Sequence, residues 1–305
     1  MAVTIGQRSE TENSREVLAR ARARAALIPD LLIDAHTIAN TVTAGWHGRR
    51  KRGSGDTFWQ FRPYDTGESM ARIDWRRSAR DDTGIFVRDQ EWESAHTVWV
   101  WADSSSSMLY KSELGHVSKQ SRALVLALAA GDVLARSGER VGWPGVTRAV
   151  ASRNGAERIA AQLMAAKEMP EFPPLQDVRN RSELLLVSDF LAPMDETLER
   201  LSTIARRGVR GTLLQIIDPA EERFPFTGRT RFEDPSSGAK LTFGRAETLR
   251  DDYTRIFAAR KQALSDHCRR LGWHHVVHHT DELASTALVA VHTRLTLPSF
   301  VGAAA

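Results

Sequence analysis

The sequence predicts an α/β protein, a mostly parallel sheet flanked by helices, with a small N-terminal β-containing module ahead of it. Three observations predict this. Runs of apolar β-formers end in aspartate at Asp103, Asp189 and Asp218. Stretches with helical periodicity lie between those runs, the alternation that gives βα units and parallel strands. Residues 40–95 carry aromatic and glycine-rich segments with little helical period.

The elements follow in order. Val17, Ala21, Ala25, Ile28 and Leu32 recur at three- and four-residue spacing, which predicts an amphipathic helix over 14–35. Arg15, Arg20, Arg22 and Arg24 fall largely off its apolar stripe. Residues 45–55 read as a basic, glycine-rich loop. A strand is expected at Phe58–Arg62, a short helix near 69–78 and a strand from Ile85 to about Glu91. The pattern changes at Thr97, where a β-rich run leads to Asp103. Helices are expected over 114–137, closed by Gly138, and over 156–167, with a strand at Arg140–Trp143 between them. A strand from Leu184 ends at Asp189, a helix over 194–207 is closed by Gly208, and a strand from Val209 ends at Asp218. A hairpin around Asp234–Gly238, a helix over 245–271, a strand at Trp273–His278 and a helix over 281–294 complete the chain. The expected organisation is an N-terminal helical segment (1–39), a small module (40–95) and an α/β domain (96–305).

Composition narrows the classes. The 305 residues are 42% hydrophobic and 26% charged, ordinary for a globular chain able to bury a core. The net charge of +4 excludes an acidic disordered protein and points only faintly to nucleic acid. A single cysteine, Cys268, excludes a disulfide framework and a multi-cysteine zinc site. The N-terminus shows no basic-then-apolar signal pattern. The longest apolar run, Ala123–Gly131, is far short of the ~20 residues that span a bilayer. A cytoplasmic location is the expectation.

Asp103 opens the run Asp103-Ser104-Ser105-Ser106-Ser107, a carboxylate with hydroxyls at alternate positions between a strand and a helix. Ligands of open parallel sheets bind outside the carboxyl ends of strands, where the strand order reverses. Hard cations such as Mg²⁺ take oxygen ligands of this kind. The same composition also serves as a turn and helix cap.

The order D-x-S-x-S, helix, then a later apolar strand ending in Ser188-Asp189 resembles the von Willebrand factor A fold with its metal-ion-dependent adhesion site. Upstream, the segment from Arg62 through Tyr64, Gly67, Glu68, Arg72, Ile73, Asp74 and Trp75 to Ser78, Ala79 and Arg80 resembles the hallmark of the bacterial "domain of unknown function fifty-eight" family. Asp218-Pro219-Ala220-Glu221, then Arg223 to Phe226 and Asp234 to Gly238, resemble later elements of that family. The resemblance covers residues 40–290.

It implies a von Willebrand A-like (Rossmann-like) sheet and no established catalytic activity. It also implies a partner or adaptor role beside a MoxR-type AAA+ ATPase in maturation or remodelling of a client protein. Carried over residue by residue, the metal ligands are Asp103, Ser105, Ser107 and Asp189, holding Mg²⁺ or Mn²⁺ weakly. Two departures stand out. The family's Gly-Asp is Gly67-Glu68 here, and no threonine occurs between Thr147 and Thr197 to complete the adhesion site. Ser152 and Asn154 are the available substitutes.

In the hallmark, Tyr64, Ile73 and Trp75 are expected to pack, and Arg62, Arg72, Asp74 and Arg80 to form ion pairs; the same patch is the candidate partner-binding surface. Residues 47–52 (HGRRKR) could grip phosphate, but no aromatic stacking platform accompanies them. His274, His275, His278 and His279 would point to opposite faces of a strand in adjacent pairs, a poor zinc set. Cys268 is expected in the core. Two functions from other classes stand beside the adaptor reading. One is a metal-assisted hydrolase using Asp103 and Asp189, which lacks a nearby histidine in sequence. The other is nucleic-acid binding through 47–52.

Overall fold

Bulky apolar residues uninterrupted by glycine or proline form the centre of the main sheet. Strand β3 (Thr97–Ala102) is buried at all but its first residue, and β6 (Glu183–Ser188) along its whole length. The computed structural model describes residues 10–46, 58–64, 70, 73–80, 84–90, 96–167, 169–170, 172–174, 176–178, 181–234 and 238–296.

These strands sit at the middle of a six-stranded sheet. The others are β4 (Arg140–Trp143), β5 (Thr147–Ala151), β7 (Arg210–Ile217) and β10 (His274–His279). The order is β10-β7-β6-β3-β4-β5, parallel except for the β4–β5 pair. The chain leaves β3 towards β4 and β5, then returns to β6 on the other side of β3. The strand order therefore reverses between β3 and β6, which makes their carboxyl ends the switch point of the sheet. The expected mixed α/β class, with a mostly parallel sheet and flanking helices, is what the chain adopts. The antiparallel edge strand β5 was not expected from sequence. It is short, and its outer residues are half-buried or exposed.

The helices are α1 (Glu10–Trp46), α3 (Lys119–Arg136), α4 (Gly155–Ala165), α5 (Met194–Arg206), α6 (Pro219–Arg223), α7 (Arg250–Leu271) and α8 (Ala284–Thr296), with a one-turn α2 (Trp75–Ser78). Helix α3 is Ala- and Leu-rich and buried from Ala123 to Ala135 because it is covered twice. It lies on β3 and β4, and α1 packs over it and over α4 and α8.

Helix α1 corrects the sequence reading in three ways. It runs over 10–46 rather than 14–35, with Pro29 inside it. Its buried stripe is Ile28, Leu31, Ala35, Ala39 and Val42, a three- and four-residue spacing that continues past the expected end. Arg24 lies on that stripe instead of off it. Its guanidinium donates to the carbonyl of Ala166 at the end of α4, 2.5 Å away, and so satisfies one of the carbonyls a helix end leaves open. The helix also crosses the 39/40 boundary. Residues 1–47 form one compact unit with 96–305, and residues 48–95 form a second. The N-terminal segment is thus part of the sheet unit, not a domain of its own.

In the second unit, β1 (Phe58–Pro63) pairs antiparallel with β2 (Phe86–Gln90). The backbone N–H of Tyr64 donates to Ile85 and that of Asp74 to Phe86. The Asp74 carboxylate accepts the Arg77 N–H and caps α2. A third, two-stranded sheet, β8 (Thr230–Glu233) with β9 (Lys240–Phe243), belongs to the first unit. Its Phe232 stacks with Phe224 and meets Phe226 edge-on.

The histidines of β10 are separately engaged. His275 bonds Gln215, His279 bonds Glu222, and His278 is buried. They make no common site. Burial, then the charges of Arg122 and His279, push His278 down to about 4, and the opposing charge of Asp281 does not offset them. Below pH 6.5 the unfolded chain takes up this proton and the native chain does not, so stability falls from there towards pH 4. The loss is about 3 kcal/mol at roughly 1.4 kcal/mol per pH unit. Melting curves across that range should show a smaller acid loss for His278→Phe than for the wild type. Equal losses would refute the assignment.

Candidate functional site

Parallel pairing of Ala102 with Val187 brings the ends of β3 and β6 level, so Asp103 and Asp189 emerge side by side at the carboxyl edge. The Asp103 N–H donates to the Val187 carbonyl, 2.8 Å, and continues the ladder to the last residue. Both aspartates are buried. Asp103 accepts the Ser105 N–H on one oxygen (2.7 Å) and the Ser188 hydroxyl on the other (2.7 Å). Burial raises the Asp103 pKa, and the charge of Asp189 adds to that. The hydroxyls of Ser105 and Ser107 bond each other at 3.1 Å. The chain then enters a one-turn 3₁₀ segment, Ser106–Leu109, and reaches α3 through a loop whose Ser118 caps the helix.

Asp189 is held on all sides. One oxygen accepts the Leu191 N–H, its carbonyl accepts from Gln215, and Arg260 of α7 ties down the Phe190 carbonyl. Its other oxygen accepts from the ammonium of Lys119, 2.9 Å away. Lys119 is 0% exposed. Its ammonium also bonds Glu221 at 2.5 Å and stands 5.7 Å above the Tyr110 ring. Burial works against the charge, and the Asp189 and Glu221 carboxylates outweigh it, so the lysine pKa is raised.

The third strand-end aspartate has a structural task. Asp218, fully buried, caps α6 through the Ala220 N–H and completes a capping box with Glu221. The same carboxylate accepts the N–H and the hydroxyl of Ser112, which pins the loop before α3 to the end of β7.

All four sequence-derived site residues therefore lie at one sheet edge, with Asp103 bonded to Ser105, Ser105 to Ser107, and Asp103 to the residue before Asp189. Sequence reasoning missed Lys119 and the role of Glu221. One signal was available. Lys119 is the first residue of α3, where the helix dipole disfavours a cation, and the first turn has no acidic residue. A lysine placed there implies negative charge supplied from elsewhere.

The set does not suit a divalent ion. The oxygens of both aspartates already take protein donors, one of them a full positive charge. An ion bound to Asp189 about 4 Å from that ammonium would meet a repulsion on the order of 8 kcal/mol at an effective dielectric of about 20. No fifth ligand comes from Ser152 or Asn154. Because β5 runs antiparallel to β4, with Ala151 opposite Arg140, both residues follow its end at the amino edge of the sheet. Among the described residues, no group of three or more His, Cys, Asp and Glu side chains is placed to hold a metal.

The hallmark residues are more scattered. Arg62 lies in β1, Tyr64 is half-buried just after it, and Arg80 is exposed in the turn after α2. Ile73 is buried as expected, but Trp75 is 61% exposed rather than packed. Arg72, Gly67, Glu68 and the basic run 47–52 lie outside the described residues.

Fold and site together define a mixed α/β protein whose polar cluster stands at the carboxyl switch point of a mostly parallel sheet. Residues 60–263 match the family model described as "Protein of unknown function DUF58", and the chain belongs to that family. No curated protein matches it. Two solved structures are similar. One is the conserved hypothetical protein BatB from Bacteroides thetaiotaomicron, at 15% identity and a TM-score of 0.39, covering 66% of this chain and 97% of that one. The other is an aerotolerance-related membrane protein from Bacteroides fragilis, at 12% identity and a TM-score of 0.38, covering 66% and 98%. Among the described residues no helix is long and apolar enough to cross a membrane.

Proposed function

We propose that this chain is a non-enzymatic adaptor with a von Willebrand A-like fold. Its carboxyl-edge loops bind a partner protein, a MoxR-type AAA+ ATPase, in the maturation or remodelling of a client. The observation that carries the reading is the surface at the switch point. The Ser105–Ser107 hydroxyl pair there is accompanied by exposed leucines on the same two loops, Leu109 (50% exposed), Leu114 (40%) and Leu191 (38%). Apolar side chains left in water around a polar centre are what a docking surface offers. The loops that carry them are fixed by Asp218 and Arg260, so little ordering is needed on binding. The partner class comes from the sequence resemblance over residues 62–80 alone.

The hydrolase reading has less support. A serine nucleophile needs a base within hydrogen-bond reach. The Ser105 and Ser107 hydroxyls bond each other, the Ser188 hydroxyl 2.7 Å from the Asp103 carboxylate is buried, and Lys119 is kept charged by two carboxylates and so is no proton acceptor.

Hydrogen–deuterium exchange of the full chain, with and without the MoxR-type ATPase of the same cell, tests the proposal. Protection is expected over 104–115 and 190–192. Protection confined to other segments would reject this edge as the docking face.

A further inference from the structure

We propose that the ammonium of Lys119 is the resident cation of the carboxyl edge, taking the Asp189 carboxylate that a divalent ion would need as a ligand, so that binding at this edge is independent of metal. The last clause rests on the adaptor reading; the first does not.

Lys119, Asp189 and Glu221 come from three separate segments, the start of α3, the end of β6 and α6. Their only shared chemistry is the ion pair that joins them. The lysine has no water contact, and both acceptors are carboxylates, so its charge is balanced locally. A divalent ion in an acidic strand-end cluster does the same two things: it neutralises the carboxylates and fixes the loops that bear them. Here the ammonium offsets one of the two negative charges and fixes both segments. It ties the loop after β6 and the α6 turn to the start of α3, and the loop before α3 is pinned in turn by Asp218. Asp103 does not need a cation either, since Ser105 and Ser188 donate to its two oxygens. What this cluster itself leaves for a partner is the Ser105 and Ser107 hydroxyls, both partly accessible.

The test uses Mn²⁺ alone, followed by its paramagnetic resonance signal, with the full chain. Wild type should leave the free-ion signal unchanged up to millimolar protein. Lys119→Met keeps the length of the stem and removes the charge. It should gain at least about tenfold in Mn²⁺ affinity, and Asp189→Asn in that background should remove the gain. Saturable Mn²⁺ binding by the wild type that Asp103→Asn abolishes would overturn the proposal. So would a folded Lys119→Met that gains no affinity. If Lys119→Met does not fold, the melting temperature of the wild type decides. It should be the same in Mg²⁺, Mn²⁺ and chelator; a metal-dependent rise lost in Asp103→Asn would refute the inference. A partner that binds only with Mg²⁺ would overturn the metal independence and leave the adaptor reading standing. A partner that never binds would sink that reading alone.

Discussion

Lys119→Ala should destabilise the protein by about 3–5 kcal/mol, because it strands two buried carboxylates without their cation. For a chain of this size that lowers the melting temperature on the order of 10 °C. Asp189 and Glu221 are the groups left behind, and burial already raises the Glu221 pKa with the lysine in place. Part of the loss should be recovered at lower pH. A carboxylate without its counter-ion is easier to protonate, so the variant's deficit should shrink as pH falls through the raised Glu221 value. The triple variant Lys119→Met, Asp189→Asn, Glu221→Gln removes all three charges together and should melt closer to wild type than Lys119→Ala does. Thermal melts of the three proteins at two pH values decide the matter. A Lys119→Ala protein as stable as wild type would mean that the ion pair in the core of the site carries no weight.

Gly211→Ala should be nearly as severe. Gly211 lies near the start of β7, opposite Leu184 of β6, and the ring of Trp273 lies flat against it. A Cβ there would stand 2.1 Å from Trp273 Cε3 and 2.3 Å from Cδ2, inside any real contact distance. The ring has nowhere to retreat. It is buried, and its indole N–H donates to the Val209 carbonyl at 3.1 Å. Overpacking of this kind costs about 3 kcal/mol or more when the neighbour cannot move. Chemical denaturation of Gly211→Ala, and of Gly211→Ala with Trp273→Leu, provides the check. The second substitution should return part of what the first removes, since the two sites are in contact. Simple additivity of the two losses would contradict the packing.

Periodicity and β-propensity made most of the sheet unit legible. The buried strands β3, β6 and β7 are apolar runs with few alternatives, and the Ala/Leu-rich α3 can only be an interior helix. The aspartates at the strand ends located the carboxyl edge, and the topology puts Asp103 and Asp189 at adjacent ends of it. Several features were not legible, each for a physical reason. Arg24 on the buried stripe of α1 depends on a carbonyl of α4 that only the fold brings near. The extension of α1 to Trp46 depends on surface supplied by α3, α4 and α8. Asp218 looked like its two counterparts, yet its partners are backbone donors and Ser112, 106 residues earlier in the chain. Lys119 was read as one more helix residue, because its acceptors come from segments 70 and 102 residues further along. Local patterns report periodicity and caps; ion pairs closed over such separations are settled by topology.

The most direct measurement of the central claim is a calorimetric titration of the full chain with the MoxR-type ATPase of the same cell, repeated with Ser105→Ala/Ser107→Ala. The substitutions remove two hydroxyls from the docking surface, and with them the Ser105 side-chain bond to Asp103, and leave the Asp189 and Lys119 contacts in place. Binding should weaken about tenfold or more, at roughly 1 kcal/mol for each hydrogen bond lost. Equal affinity of the two proteins for the ATPase, or no binding by either, would contradict it.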